Sequence, residues 1–276
     1  RRQRQMCIRD RCMGSMPLVG GHGTSGSFGP LLETDYAVVG ATTVALAAAT
    51  YGLVSGSMMG GPIARARVEK LHLKSTAAEE GNETAEVMPA VDGQKFTTSA
   101  MFLAVAIGLG TLIFTFFKDV CHLTFPTYIG AMLAAAAIRN IWDVQNKDLP
   151  MVEIDALGGL SLNLFLSMAM MSLKLWQLAA LALPMIVILL VQTVVMFLCA
   201  NFVVFNVMGR DYEAAAMTTA FCGFGMGATP NAMANMRALV ERYGAAPRAF
   251  FIVPLVGSLF VDFFNSMVLT TFMNFL

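Results

Sequence analysis

Residues 179 to 205, AALALPMIVILLVQTVVMFLCANFVVF, contain no charged side chain in 27 positions. A helix needs only about 20 apolar residues to cross the hydrocarbon of a bilayer, so the natural solvent of this run is lipid. Similar runs occupy about 40 to 61, 98 to 117, 123 to 139, 155 to 175 and 249 to 274. Hydrophobic residues make up 57% of the chain and charged ones 13%, which excludes an ordinary soluble domain. The expectation is an all-α, polytopic membrane protein. Its formal net charge is zero, so nothing points to a nucleic-acid partner. The five cysteines (Cys7, Cys12, Cys121, Cys199, Cys222) lack disulfide or zinc spacing and suggest no cofactor.

Charge placement then orders the spans. Residues 1 to 12, RRQRQMCIRDRC, have five arginines and no apolar core, so they read as a tail foreign to the fold beginning near Met13. Residues 13 to 61 form the end of a first membrane unit, 62 to 97 a polar cytoplasmic linker, and 98 to 276 a second unit. Arg65, Arg67, Lys70 and Lys74 place the linker inside. Tracing outward, Arg139, Lys147, Arg210, Arg237, Arg242 and Arg248 also fall inside, provided that 214 to 242 enters and returns on one side. That segment carries too few apolar residues before its glycines to cross. Gly52, Gly56 and Gly60, four apart, predict close helix contact.

The segment holds GFGMGATPNAMANM (223 to 236), a flexible, polar stretch where lipid tolerates it least. Irregular backbone survives at membrane depth only when it is buried in protein or lines a wet cavity. Gly223, Gly225 and Gly227 are expected to end a half-helix at 214 to 222, with Thr229 capping and Pro230 starting a second over 230 to 242. The free N–H groups of that second start suit a carboxylate, and the carbonyls of the first suit a dehydrated sodium ion. Asn231 and Asn235 share one face of the second half-helix. An echo lies upstream: Gly21-His22-Gly23-Thr24 matches Gly225-Met226-Gly227 followed by Thr229, each leading to a charged turn and a full span. Thr24 and Ser25 are expected to cap the first copy. By the path above, the copies enter from opposite sides, the architecture of inverted-repeat secondary transporters with two glycine-rich re-entrant loops.

Single polar residues within spans extend the candidate set. Asp262, costly at mid-membrane, and Asn265 nearly one turn on suit cation coordination or proton exchange, against a buried structural hydrogen bond. Ser161 and Asn163 are weaker candidates, since interhelical hydrogen bonding is the ordinary duty of such groups. His22, between glycines, titrates or donates to substrate. His72 and His122 are loop or span-end residues. Arg237, tempting as a partner for a side-chain carboxylate, sits where positive-inside duty explains it. Two other classes fit poorly. GFGMGA lacks the third glycine and the preceding strand of a dinucleotide site. A serine protease built on Ser25 lacks a base from another span.

GGHGT, ATYGLVSGSMMGGPIAR, SLNLFLSMAMMSLKLWQLAALALPM and CGFGMGATPNAMANMRALVERYG together resemble the bacterial sodium/glutamate symporter family over Gly20 to Leu276. The resemblance implies two inverted five-span halves, a homodimer, elevator-type movement of a core carrying both loops, and sodium-coupled import of L-glutamate across the bacterial inner membrane. It assigns substrate binding to Gly20, Gly21, His22, Gly23 and Thr24, and to Gly223, Gly225, Gly227, Ala228, Thr229, Pro230, Asn231 and Asn235. Asp262 falls in the matching final span. The first spans of the family have no counterpart here, so the chain alone is expected not to transport. Met226 stands where the family pattern has Leu, and Asn231 where it has Thr, which leaves another dicarboxylate or acidic amino acid open as substrate.

Overall fold

The computed structural model describes residues 13–75, 92–121, 127–145, 148–171 and 182–274. All regular structure among them is helical. In chain order the helices are α1 (Ser15–Leu18), α2 (Gly21–Thr34), α3 (Ala41–Lys70), α4 (Gly93–Cys121), α5 (Thr127–Val144), α6 (Met151–Met171), α7 (Ala182–Leu198), α8 (Tyr212–Tyr243), α9 (Pro247–Leu255) and α10 (Asp262–Asn274). A π-helical turn, Cys199–Val204, carries α7 on to Phe205–Val207, and another, Val256–Val261, joins α9 to α10.

Ala41–Lys70, Gly93–Asp119 and Ala182–Val207 are long and apolar enough to cross a membrane. The runs expected at 123 to 139, 155 to 175 and 249 to 274 fall on α5, α6 and the α9 to α10 segment. Residues 1–12, 76–91, 123–126, 172–181 and Lys147 lie outside the described residues, and with them the segment expected to be a foreign tail and most of the expected linker. Helix α3 runs nine residues beyond the expected end of its span. The cause is packing: Ala64 and Val68 are buried in one apolar cluster with Phe205, Tyr212, Met236 and Leu239. Arg67 is also held there, its Nη2 donating to the Asn201 carbonyl at 2.9 Å and its guanidinium 4.8 Å from the Phe205 ring centroid.

The chain divides into two compact units. The unit formed by Thr84–Leu173 and Thr270–Leu276 contains α4 to α6. There Gly110 and Gly130 let α4 and α5 approach backbone to backbone, and Phe102 meets Trp142 edge to face at 5.1 Å. The unit formed by Arg1–Glu83 and Lys174–Leu269 is built around α3, with α2 and α8 packed along it. This unit contains both glycine-rich motifs.

Candidate functional site

Helix α8 is two helices. Gly227 (φ −152, ψ 16) and Ala228 (φ 67, ψ 177) depart from helical geometry and separate an arm α8a, residues 212–226, from an arm α8b, residues 229–243. The arms fold back on each other. A Cβ on Gly223 would run into the backbone of Ala232, and Asn235 Nδ2 donates to the Thr219 carbonyl at 3.4 Å. At the base, Tyr212 Oη donates to the Gly244 carbonyl. The segment is therefore a hairpin whose two ends lie together, as its short apolar content led us to expect.

The break is narrower than the sequence suggested. Gly223 and Gly225 do not end the first arm; both lie inside α8a, where Gly223 admits Ala232 and Gly225 admits the Met196 side chain. That arm runs over 212–226 rather than 214 to 222, capped by Asp211, whose Oδ1 accepts from Ala214 N at 2.6 Å. The second arm begins at Thr229, one residue before the expected start. Ala228 therefore holds the capping position, and Pro230, lacking an N–H, still costs no helical hydrogen bond in the first turn.

The first motif makes the same break with fewer residues. Helix α1 ends at Leu18, and α2 begins at Gly21, which has φ 63. Thr24 and Ser25 thus lie within α2 and do not cap it. Ser25 Oγ donates back to the Gly21 carbonyl at 2.7 Å, as hydroxyls inside helices do. With that hydroxyl turned onto backbone, the nucleophile reading of Ser25 loses its geometry. Gly23 faces open space, so no steric need explains a glycine there. The left-handed residues also correct the register of the internal echo. Gly21 and Ala37 (φ 53) are sixteen residues apart, as are Ala228 and Gly244 (φ 104). Gly21 therefore corresponds to Ala228, three residues on from the Gly225 that motif matching gave.

The two breaks meet. A Cβ on Gly21 would stand 2.9 Å from Ala228 Cβ, with Gly52 of α3 beneath both: a Cβ there would strike the Met226 carbonyl and come within 2.7 Å of Leu18 Cδ2. The glycine stripe continues the seam, since a Cβ on Gly56 would lie 3.0 Å from Cys222 O, and one on Gly60 2.8 Å from Thr219 Oγ1. The predicted close contact of Gly52, Gly56 and Gly60 is thus with α8.

Side chains lock the seam. Buried Asn231 donates from Nδ2 to the Leu53 carbonyl (3.2 Å) and accepts from Ser57 Oγ at Oδ1 (2.6 Å). Asn235, also buried, donates to the Gly56 carbonyl at 3.3 Å. His22 Nε2 lies 3.0 Å from Thr50 Oγ1. The Thr50 hydroxyl donates its proton to the Leu46 carbonyl at 2.9 Å, so His22 Nε2 is the donor to Thr50. Thr50 and Ser57 escaped the sequence reading. Their signal was spacing, i and i+7 on the face of α3 beside the glycines. Glu213 escaped too: it is buried, and its carboxylate accepts from Arg248 N (3.4 Å) and Ala249 N (2.8 Å), capping α9 from the hairpin.

The remaining candidates are placed differently. Asn265 Nδ2 donates to the Ser15 carbonyl at 3.3 Å, tying α10 to the first break. The Asp262 side chain lies outside the described residues. Ser161 and Asn163 are exposed on α6 and belong to the other unit. Gly20 lies against Thr24 within the first motif, and Thr229 Oγ1 faces Gly257.

Two helix N-termini, those of α2 and α8b, therefore converge at a point where both backbones are broken. Each leaves N–H groups without helical partners and carries roughly half a positive charge from its aligned peptides. This arrangement favours anions, and the carboxyl end of α8a beside it favours cations.

The sodium/glutamate symporter family model matches residues 10–245. The chain is 39% identical over 267 residues to the sodium/glutamate symporter of Escherichia coli (strain K12), covering 94% of this chain and 66% of that one. The sodium/glutamate symporter of Shigella flexneri matches equally, and that of Haemophilus influenzae is 35% identical over 265 residues, 93% of this chain and 65% of that one. No solved structure matches. The chain thus spans slightly under two thirds of the length of these relatives, and by its matched residues and its identity to them it belongs to the sodium/glutamate symporter family of membrane transporters.

Proposed function

We propose that this chain forms the substrate-handling core of a sodium-coupled importer of L-glutamate, a multi-pass protein of the bacterial inner membrane. The contact between the breaks at Gly21 and Ala228 carries this reading. A carboxylate of glutamate lies at the N-termini of α2 and α8b, with Gly20 to Thr24 and Gly227 to Asn231 forming the walls. Sodium lies at the carbonyl end of α8a, and Asp262, Asn265, Ser161 and Asn163 are its side-chain candidates. Both amide groups of Asn231 are engaged by α3, so its identity bears on hairpin packing more than on the choice of substrate.

The glycine seam suggests how such a core moves. Both breaks rest on one helix through contacts too close for any side chain, which supports joint movement of α2, α3 and α8 and with it the elevator mode that the family resemblance implies. The protein is proposed to work as a homodimer, as the family resemblance implies.

Isothermal titration of the purified chain with L-glutamate, in sodium chloride and in choline chloride, tests the reading. Binding at least about tenfold tighter in sodium is expected, a coupling of roughly 1.4 kcal/mol. Equal affinity in both salts would remove sodium from the site. Competition by other acidic amino acids and dicarboxylates then ranks the substrate class.

A further inference from the structure

A cavity of about 390 Å³, with apolar walls and a few polar side chains, lies between α3 and α8b. Ser57 and Asn235 line it, the same residues that lock the hairpin onto α3, together with Arg65, Arg242 and Tyr243. At 1.5 Å per residue, Asn235 stands about 9 Å from the start of α8b and Arg242 about 20 Å from it. The cavity thus leads from just behind the breaks to the base of the hairpin. The side is the one that the Lys/Arg clusters assign to the cytoplasm.

Its outer end is charged unequally. Glu69 Oε1 accepts from Arg65 Nε and from Tyr243 Oη, each at 2.9 Å. The Arg242 guanidinium lies 5.6 Å from the Tyr243 ring centroid, and among the described residues no carboxylate is within ion-pair distance of it. The Arg65–Glu69 pair is about half exposed at both side chains, so water screens it and an incoming carboxylate can replace Glu69 cheaply. Two guanidiniums with one carboxylate between them leave a net positive charge at the mouth. The positive-inside rule accounts for basic residues on this side of the membrane, but not for their convergence on a cavity that reaches Ser57 and Asn235.

We propose that this cavity is an anion-binding vestibule, in which Arg65 and Arg242 receive a carboxylate of the acidic solute on its way between the hairpin tips and the cytoplasm. The identity of the solute rests on the function proposed above. The anion site itself rests on the arginine pair. Guanidinium groups suit the task because their fork of donors matches the two oxygens of a carboxylate.

Arginine modification reads the site directly. The purified chain is treated with phenylglyoxal, and adducts at Arg65, Arg242 and Arg237 are followed by peptide mass spectrometry, with L-glutamate, glutarate or an equal ionic strength of sodium chloride present. Arg237 lies exposed on the same arm outside the cavity and serves as the internal reference. We expect the dicarboxylates to slow modification of Arg65 and Arg242 at least about threefold and to leave Arg237 unchanged, because a bound anion shields only what it touches. The protection persists in His22→Ala, which disturbs the first break and touches no wall of the cavity. Equal rates with and without dicarboxylate overturn the vestibule, as does equal protection of Arg237. Protection that vanishes in His22→Ala overturns it too, since the arginines would then be shielded by events at the tips. Protection without sodium-dependent binding by titration sinks the proposed function and leaves the vestibule standing.

Discussion

The break at Gly21 and the break at Ala228 use one backbone device on different chemistry. In each, a residue with positive φ starts a helical arm and a second follows sixteen positions later, Ala37 three residues past the arm's end at Thr34 and Gly244 directly after Tyr243. The first arm is pinned to α3 near Ala45 and Thr50, through Ser25 and His22. The second is pinned further along the same helix, between Leu53 and Gly60, through Asn231, Asn235 and a seam of glycines. The second is also closed at its base by Tyr212. What the copies share is backbone direction, and what differs is every side chain that holds it. The site thus depends on where N–H groups and carbonyls point, while the anchoring chemistry varies.

The largest expected effect comes from the residue that serves both copies. Gly52→Val drives a side chain into the Met226 carbonyl and Leu18 together, and should cost about 3 kcal/mol in thermal unfolding. Gly61→Val, on the same helix with open space around it, should stay within about 0.5 kcal/mol. Equal effects would mean that α3 does not seat the two breaks. The anchors come next. Asn231→Ala leaves the Leu53 carbonyl and Ser57 hydroxyl short of a partner and should cost about 2 kcal/mol. His22→Ala loses one bond to Thr50 and should cost about 1 kcal/mol. A reversed order would show the first copy to be the more tightly held. The smallest effects separate the tips by sign. Gly21→Ala adds a methyl at positive φ against Ala228 and should destabilise by about 1 kcal/mol. Ala228→Gly relieves a conformation that only glycine adopts freely, and should stabilise by up to about 1 kcal/mol. The same sign for both would break the correspondence of the two tips.

The sequence carried the local half of this arrangement. Apolar runs marked the long helices, Gly52, Gly56 and Gly60 marked a close contact, and Thr229-Pro230 marked a helix start to within one residue. Two things stayed hidden for physical reasons. A glycine that lets a neighbour approach looks the same in sequence as one that breaks a helix, so Gly223 and Gly225 were assigned to the break. For the same reason, matching glycine to glycine misaligned the copies by three residues, because the left-handed position is Gly in one and Ala in the other. Partners across the fold were the other loss. Ser57 meets Asn231 from 174 positions away, and Glu213 caps a helix that begins after the hairpin closes. Neither pairing has a local pattern. The length of α3 escapes the hydropathy because its last turns bury one apolar face while Arg65, Glu69 and Lys70 are exposed on the other.

The central claim is that the two breaks face each other and that the substrate sits between them. Gly21→Cys with Ala228→Cys, in a chain whose five native cysteines are replaced by alanine, tests it in one measurement. A disulfide needs Cβ atoms about 3.5 to 4.5 Å apart, and the 2.9 Å between these two Cβ positions requires the tips to part by only about 1 Å. Mild oxidation should form an intramolecular disulfide between them, and L-glutamate with sodium should slow its formation where L-glutamate with choline does not. No cross-link, or a cross-link formed at the same rate under all conditions, would contradict the account.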